Sequence, residues 1–291
     1  MAIFIEIIKF LLYSFAIVIV AKYLLVPTLR KLSELFNLGP KAAGNIAGIA
    51  TSVPELLTVS FAAYAGFIET GIYNVLSSNI INLAQYLGAI YINKNQKYIR
   101  NKAIRIDIIM VIITIIIPAF MVVANIKVNM LTVIFFVGLL CLFYYINLNV
   151  HKLYLRKQDE QIDKEENSKY TQEEELIKKG SKRGMQIIIN IVYIIFIAIA
   201  LYLIGNLLSD SLTNLSITFR LPDLVLGIAL GFITSIPELI TFTEAQRKPY
   251  KQVVGAELGV VEATNNLLTS NLLNLFAIQS IGIIIYNLFA R

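Results

Sequence analysis

Two glutamates in this chain stand where a carboxylate is costly. Glu55 lies in Thr51-Ser52-Val53-Pro54-Glu55-Leu56 and Glu238 in Thr234-Ser235-Ile236-Pro237-Glu238-Leu239, each inside a stretch apolar enough to cross a membrane. A carboxylate in such a place normally faces a pathway or cavity and serves an ion, a proton or a partner charge. The adjoining prolines supply further oxygens. Each lacks an N–H and crowds the carbonyl four residues back, so Ala50 and Ile233 lose their helical donors and Thr51 and Thr234 are disturbed next. A freed backbone oxygen in a membrane needs water, protein or a cation as partner. Thr51 and Ser52 stand four and three residues before Glu55, hence on its helix face, and Thr234 and Ser235 stand likewise before Glu238. Carboxylate, hydroxyl and carbonyl together form the mixed oxygen set that hard cations such as calcium and sodium take.

The duplication extends beyond the hexapeptide. Gly44 and Gly48 precede Glu55 by the same distances as Gly227 and Gly231 precede Glu238, and Thr58 matches Thr241, all at an offset of 183. Downstream, Asn74-Val75-Leu76-Ser77-Ser78-Asn79 is echoed by Asn266-Leu267-Leu268-Thr269-Ser270-Asn271, with Asn82 and Asn274 following in register at an offset of 192. Asn74, Ser78 and Asn82 form a stripe at i, i+4, i+8, and Asn266, Ser270 and Asn274 repeat it. The glycine pairs have small-xxx-small spacing, which allows close helix approach; packing alone would explain them. A kinked helix with a protonated, hydrogen-bonded glutamate would explain one copy of the motif. Two register-matched copies with matched polar stripes point instead to one site built by two halves, the sequence mark of transporters with internal symmetry.

The elements that must position these residues are membrane helices. Of 291 residues 57% are hydrophobic and 15% charged, and the mean hydropathy is +0.71, far more apolar than a soluble domain. With about 20 apolar residues per crossing, eight spans are predicted: Ile3–Val26, Lys41–Phe67, Gly71–Ile92, Ile104–Ile126, Val128–Val150, Met185–Leu208, Pro222–Glu244 and one within Leu258–Leu288.

The net charge of +6 is distributed by loop and does not form a nucleic-acid patch. Arg30, Lys31 and Lys41 fall in the first loop, Lys94, Lys97, Arg100, Lys102 and Arg105 in the third, a dense cluster in the fifth, and Arg247, Lys248 and Lys251 in the seventh. The even loops hold Lys127 and Arg220. The positive-inside rule makes the odd loops cytoplasmic and places the N-terminus outside. The second span then runs outward and the seventh inward, so the two motif copies are inverted. Glu6 and Lys9 sit early in the first apolar stretch and no small-residue cleavage site follows, which reads as a retained helix.

The remaining titratable residues read as incidental. Cys141, the single cysteine, is expected to be an ordinary buried thiol, and His151, the single histidine, an interfacial residue at the cytoplasmic end of the fifth span. Interfacial solvation is expected for Glu69, Glu257 and Glu262, with Glu262 set slightly inside the membrane. Residues 151–184 carry mixed charges without calcium-loop spacing and read as a solvated cytoplasmic linker between halves 1–150 and 185–291.

The paired motifs resemble the two alpha repeats of the cation/calcium exchanger superfamily, the group containing the sodium/calcium exchangers. The family's G-T-S-φ-P-E and G-N-φ-φ-G-S-N patterns stand here as A-T-S-V-P-E with Y-N-V-L-S-S-N, and I-T-S-I-P-E with N-N-L-L-T-S-N, over about 44–82 and 227–274. The resemblance implies calcium held between Glu55 and Glu238 with backbone oxygens of Thr51 and Thr234. It implies sodium at Ser52, Ser78, Asn82, Ser235 and Ser270 and at the backbone oxygens of Gly48 and Gly231, with alternating access by two peripheral helices sliding across a fixed core. The chain departs from the pattern in several places. The family glycines are replaced by Ala50, Ile233, Ser77 and Thr269, and Asn274 stands where many members carry an acid, leaving two central carboxylates. One span fits after Asn274, so the last two helices of the usual five-plus-five plan are expected to be missing, and dimerisation could cover the side they would leave exposed.

The expected protein is therefore an all-α, multi-pass cell-membrane antiporter with an inverted-repeat fold of about eight helices, exchanging Ca2+ for Na+, with no cofactor, no enzymatic activity and a homodimer as the candidate assembly. The lone histidine and cysteine sit apart from the glutamates and form no nucleophile-base pair. The nearest rival is a Ca2+/H+ exchanger. Family members of that type carry a glutamate three residues after the motif asparagine, where this chain has Ser77 and Thr269. A second rival is a non-transporting or channel-like ion-binding protein.

Overall fold

The computed structural model describes residues 2–36, 40–124, 126–147, 183–247 and 255–289. Every span is helical, as the membrane requires, because only a helix closes its own backbone hydrogen bonds without water. α1 (Ala2–Val20) continues through a π-helical turn at Ala21–Leu25 into α2 (Val26–Leu35). α3 (Pro40–Thr51), α4 (Val53–Tyr64), α5 (Ile68–Ile92), α6 (Lys102–Val123) and α7 (Met130–Asn147) complete the first half. The second half comprises α8 (Arg183–Thr213) with a π-turn at Asn214–Thr218, α9 (Asp223–Thr234), α10 (Ile236–Arg247) and α11 (Gly255–Leu272). A third π-turn at Leu273–Ile278 leads from α11 into α12 (Gln279–Phe289). Eight helical stretches are long and apolar enough to cross a membrane, from Ile3–Leu29 to Gly259–Phe289. They agree with the eight predicted spans; the sixth, Gly184–Thr218, runs past its predicted end at Leu208, and the last, Gly259–Phe289, fills nearly the whole predicted window.

The proline motifs divide two spans in the same way. α3 stops at Thr51 and α4 starts at Val53, and α9 and α10 meet across Ser235, with φ/ψ of −81°/−2° at Ser52 and −80°/0° at Ser235. Each carboxylate thus lies in the first turn of a half-helix, where its amides are left without intrahelical acceptors. Elsewhere, side chains set the starts: Asn101 Oδ1 accepts the amide of Ala103 at 3.0 Å before α6, and Asn129 Oδ1 accepts those of Leu131 and Thr132 at 2.9 and 3.2 Å before α7.

The packing is reciprocal between the repeats. α5 of the first lies along α9 of the second, and α11 of the second lies along α3 of the first. The glycines make this approach feasible. A Cβ on Gly48 would stand 2.8 Å from the carbonyl oxygen of Asn266, and one on Gly227 2.7 Å from that of Thr70. α6 and α7 flank α11 and its continuation, where Phe136 and Phe143 meet Phe276 at ring separations of 5.9 and 5.4 Å. α1 and α8 pair with each other and lie along α9 and α4 at the edge of this core. Glu6 fastens that pair: Oε2 accepts Asn214 Nδ2 at 3.3 Å and its carbonyl accepts Ser211 Oγ at 3.2 Å, while Lys9 holds Oε1 at 2.8 Å. The outward faces of α1, α7 and α8 are apolar, exposing Leu12, Leu131 and Phe196, as a lipid-facing surface is.

Two expectations are corrected. Cys141 is exposed, because it lies on the outward face of α7 opposite Phe136 and Phe143. Glu262 is buried to 2% and is not solvated at an interface, because α11 is seated on α3 at this level, with the Glu262 carbonyl against Gly44. Glu69 is exposed as expected. His151, the 151–184 linker and the side chain of Glu257 lie outside the described residues, except that α8 begins at Arg183.

Candidate functional site

The inverted halves bring their motifs to one buried place. Glu55, Glu238, Thr51, Ser52, Thr234, Ser235, Ser78, Asn82, Ser270 and Asn274 are all buried to within 2% of full enclosure. The breaks at Ser52 and Ser235 supply the first set, and the polar stripes of α5 and of α11 with its π-turn the second. Each carboxylate sits beside the motif threonine of the other repeat, Glu55 by Thr234 and Glu238 by Thr51, and the two carboxylates are within electrostatic reach of each other. Among the described residues no group of three or more His, Cys, Asp or Glu assembles, so the site's formal charge comes from this pair.

Hydrogen bonds organise the outer part of the site symmetrically. Asn74 Nδ2 donates to Thr58 Oγ1 at 2.7 Å, and Thr58 donates to the carbonyl of Glu55 at 3.1 Å. In the second repeat Asn266 Nδ2 donates to Thr241 Oγ1 at 2.7 Å, and Thr241 to the carbonyl of Glu238 at 2.9 Å. The first asparagine of each stripe, Asn74 or Asn266, is thereby tied to the backbone of the glutamate in its own repeat. At the replaced family glycines, hydroxyls stitch neighbouring helices: Ser77 Oγ donates to the Gly227 carbonyl at 3.3 Å and Thr269 Oγ1 to Asn45 Oδ1 at 3.0 Å. Neither hydroxyl is turned toward the glutamates.

The inner part is asymmetric. Ser52 Oγ has one proton to share between the Gly48 carbonyl at 2.8 Å and Ser270 Oγ at 3.0 Å, and Ser270 donates to Glu238 Oε1 at 3.2 Å. Thr51 Oγ1 reaches the Gly48 carbonyl at 3.3 Å and Asn266 Oδ1 at 3.5 Å. Their counterparts Thr234 Oγ1 and Ser235 Oγ have no partner; the carbonyl of Gly231 receives the amide of Ser235 at 3.2 Å.

Eight buried oxygens around this place have no hydrogen-bond partner: both of Glu55, Oε2 of Glu238, Thr234 Oγ1, Ser235 Oγ, and the Oδ1 atoms of Asn74, Asn82 and Asn274. Buried polar atoms are otherwise nearly always satisfied, and each exception calls for an explanation. Two carboxylates with so many acceptors and no cationic side chain among them have the chemistry of a cation cage.

All twelve candidate residues belong to this constellation, ten by side chain and Gly48 and Gly231 through the adjoining backbone. Sequence reasoning passed over four residues that build it, Asn79, Asn271, Thr58 and Thr241. Their identity in both copies at matched register was the available signal. It also passed over Asp107, buried to 1% on the inner face of α6.

A family model described as "Sodium/calcium exchanger protein" matches residues 7–153 and 189–290. Two solved structures of the sodium-calcium exchanger NCX_Mj are similar to the chain, one soaked with 2.5 mM Na+ and 0.1 mM Ca2+ and one with 2.5 mM Na+ and 10 mM Sr2+. Each has 19% identity and a TM-score of 0.48 and covers 97% of this chain, against 82% and 83% of the solved chains. No curated protein matches the chain.

Proposed function

Because the chain belongs to the sodium/calcium exchanger protein family, we propose that it exchanges Ca2+ for Na+ across a cell membrane by alternating access, with the cations bound between Glu55 and Glu238. The observation that carries this reading is the set of eight buried oxygens without partners. Calcium takes about six to eight oxygen ligands in a flexible shell, and sodium is satisfied by the same donor types.

Two carboxylates are neutralised equally well by one divalent ion or two monovalent ions. A buried charge without compensation is costly, so a loaded site of either kind is far better placed to pass through the membrane than an empty one. Competition for the same oxygens then couples the two ions. In this reading Glu55 and Glu238 carry the charge, and the backbone oxygens of Thr51 and Thr234 complete the calcium shell. Ser52, Ser78, Asn82, Ser235, Ser270 and Asn274, with the backbone oxygens of Gly48 and Gly231, serve sodium. The peripheral pair α1 and α8 is the moving part, and its joint attachment through Glu6 supports movement as a unit.

Sodium is favoured over the proton as counter-ion because Ser77 and Thr269 place hydroxyls, engaged with neighbouring helices, where a third and fourth acid would be needed. The loop charges support an external N-terminus and a cytoplasmic 151–184 segment.

The test is calcium uptake into proteoliposomes under separately imposed sodium and proton gradients. Sodium-loaded vesicles diluted into sodium-free calcium medium should accumulate calcium regardless of the pH gradient. Uptake that follows the proton gradient without sodium would favour the proton-coupled rival. Calcium binding without gradient-driven uptake would favour the non-transporting one.

A further inference from the structure

We infer that Asn79 and Asn271 are positioning residues that turn the amide oxygens of Asn82 and Asn274 toward the cation, each half of the protein orienting the ligand of the other. The inference rests on the cation-site reading above and adds two residues to it.

The argument starts from backbone carbonyls, which can only accept. Asn79 Nδ2 donates to the carbonyls of Thr114 and Asn271, at 3.4 and 3.3 Å, and Asn271 Nδ2 donates to the carbonyl of Asn79 at 3.1 Å. These contacts fix which end of each amide is nitrogen, and so fix where the oxygen points. Asn79 Oδ1 then accepts Asn274 Nδ2 at 3.2 Å, and Asn271 Oδ1 accepts Asn82 Nδ2 at 3.2 Å. A second acceptor reinforces each orientation, Ser78 Oγ for Asn274 at 3.2 Å and Ser270 Oγ for Asn82 at 3.4 Å.

With both nitrogens held this way, Asn82 and Asn274 have one direction left for Oδ1. Both of those oxygens are buried and without a partner. An amide presents one oxygen and one NH2 group, and a rotated amide would aim donors at a cation. The reciprocal bonds between α5 and α11 exclude that rotation, and since Asn79 and Asn271 are themselves fully buried, no water replaces them.

A carboxylate has no wrong way round, and the test uses this difference. Binding of sodium, the ion that Asn82 and Asn274 serve in the reading above, to the purified full-length chain is measured by titration calorimetry for wild type, Asn79→Ala, Asn274→Asp and the double variant, with thermal melting recorded for each. Asn79→Ala should weaken sodium binding about tenfold, the value of one well-placed hydrogen bond. In the Asn274→Asp background the same change should cost less than about threefold, because either carboxylate oxygen can face the ion. The mirrored cycle, Asn271→Ala with and without Asn82→Asp, should behave alike and decides the matter if Asn79→Ala does not fold. Equal losses in both backgrounds, or no loss in the asparagine background, would overturn the positioning role while leaving the cation site standing. A wild-type chain that binds neither calcium nor sodium would overturn the site reading and this inference with it.

Discussion

Ser52 of the first repeat and Ser270 of the second are joined hydroxyl to hydroxyl at 3.0 Å, whereas their repeat mates Ser235 and Ser78 are not joined. Ser78 instead donates to the carbonyl of Val75 at 3.4 Å, and Ser235 Oγ has no partner. The two carboxylates consequently sit in different surroundings, Glu238 receiving Ser270 and Glu55 receiving nothing.

Removing one carboxylate should end exchange. Glu55→Gln and Glu238→Gln each leave a single charge facing a divalent ion in a dry site, a loss of about 3 kcal/mol or more, which is over about 100-fold in affinity. Calcium flux in proteoliposomes is the measurement, and near-normal flux in either variant would end the two-glutamate account.

The serine link should be visible as energetic coupling. Ser52→Ala and Ser270→Ala share one hydrogen bond, so their effects on sodium affinity should fall short of additivity by about 1 kcal/mol. Ser235→Ala and Ser52→Ala share none and should add. A cycle in which both pairs behave alike would remove the asymmetry from the protein's energetics.

Glycine substitutions should separate by location. A Cβ at Gly48 would meet Asn266 O and Thr269 Cβ, both at 2.8 Å, and the backbone there cannot yield cheaply. Gly48→Ala should lower stability by about 1–3 kcal/mol. At Gly88 nothing lies within 4 Å, and alanine there should be neutral or stabilise the helix by up to about 1 kcal/mol. Thermal melts in detergent measure both, and a Gly48→Ala variant as stable as Gly88→Ala would deny the close contact of α3 with α11.

Topology can be read with thiol reagents once the exposed Cys141 is replaced by serine. Cysteines in the 151–184 segment should react from the cytoplasmic side, and one at Asn287, near the end of α12, from the outside. Labelling of Asn287→Cys from the cytoplasm would reverse the last span.

The repeat, the span count and the gathering of the candidate residues in one buried place were legible because they rest on strong signals: prolines and glutamates out of place in apolar sequence, and identical residues in two registers. What escaped was the facing of single residues on the flanking helices. In a soluble protein the polar side of a helix marks the exterior. Here lipid and protein interior are both apolar, so the pattern of α7 did not reveal that Cys141 looks outward, nor that of α6 that Asp107 looks inward. Glu262 was misplaced for a related reason, since distance from a span end does not tell whether another helix lies over it. Asn79 and Asn271 were visible as motif letters, but their cross-bonding is a relationship between halves and no single stretch contains it.

The antiparallel repeats have a consequence for directionality. A chain made of two inverted copies of one design has, for any asymmetric arrangement of its serines, a counterpart in which the copies exchange roles: Ser235 bonded to Ser78, Ser52 released, and Glu55 the carboxylate receiving a hydroxyl. Turned over in the membrane, the motif helices α3–α5 and α9–α11 of that counterpart exchange places, while α6 and α7 still flank one side alone. The motif core by itself therefore sets no direction; like a revolving door, it turns whichever way the concentrations on its two sides dictate.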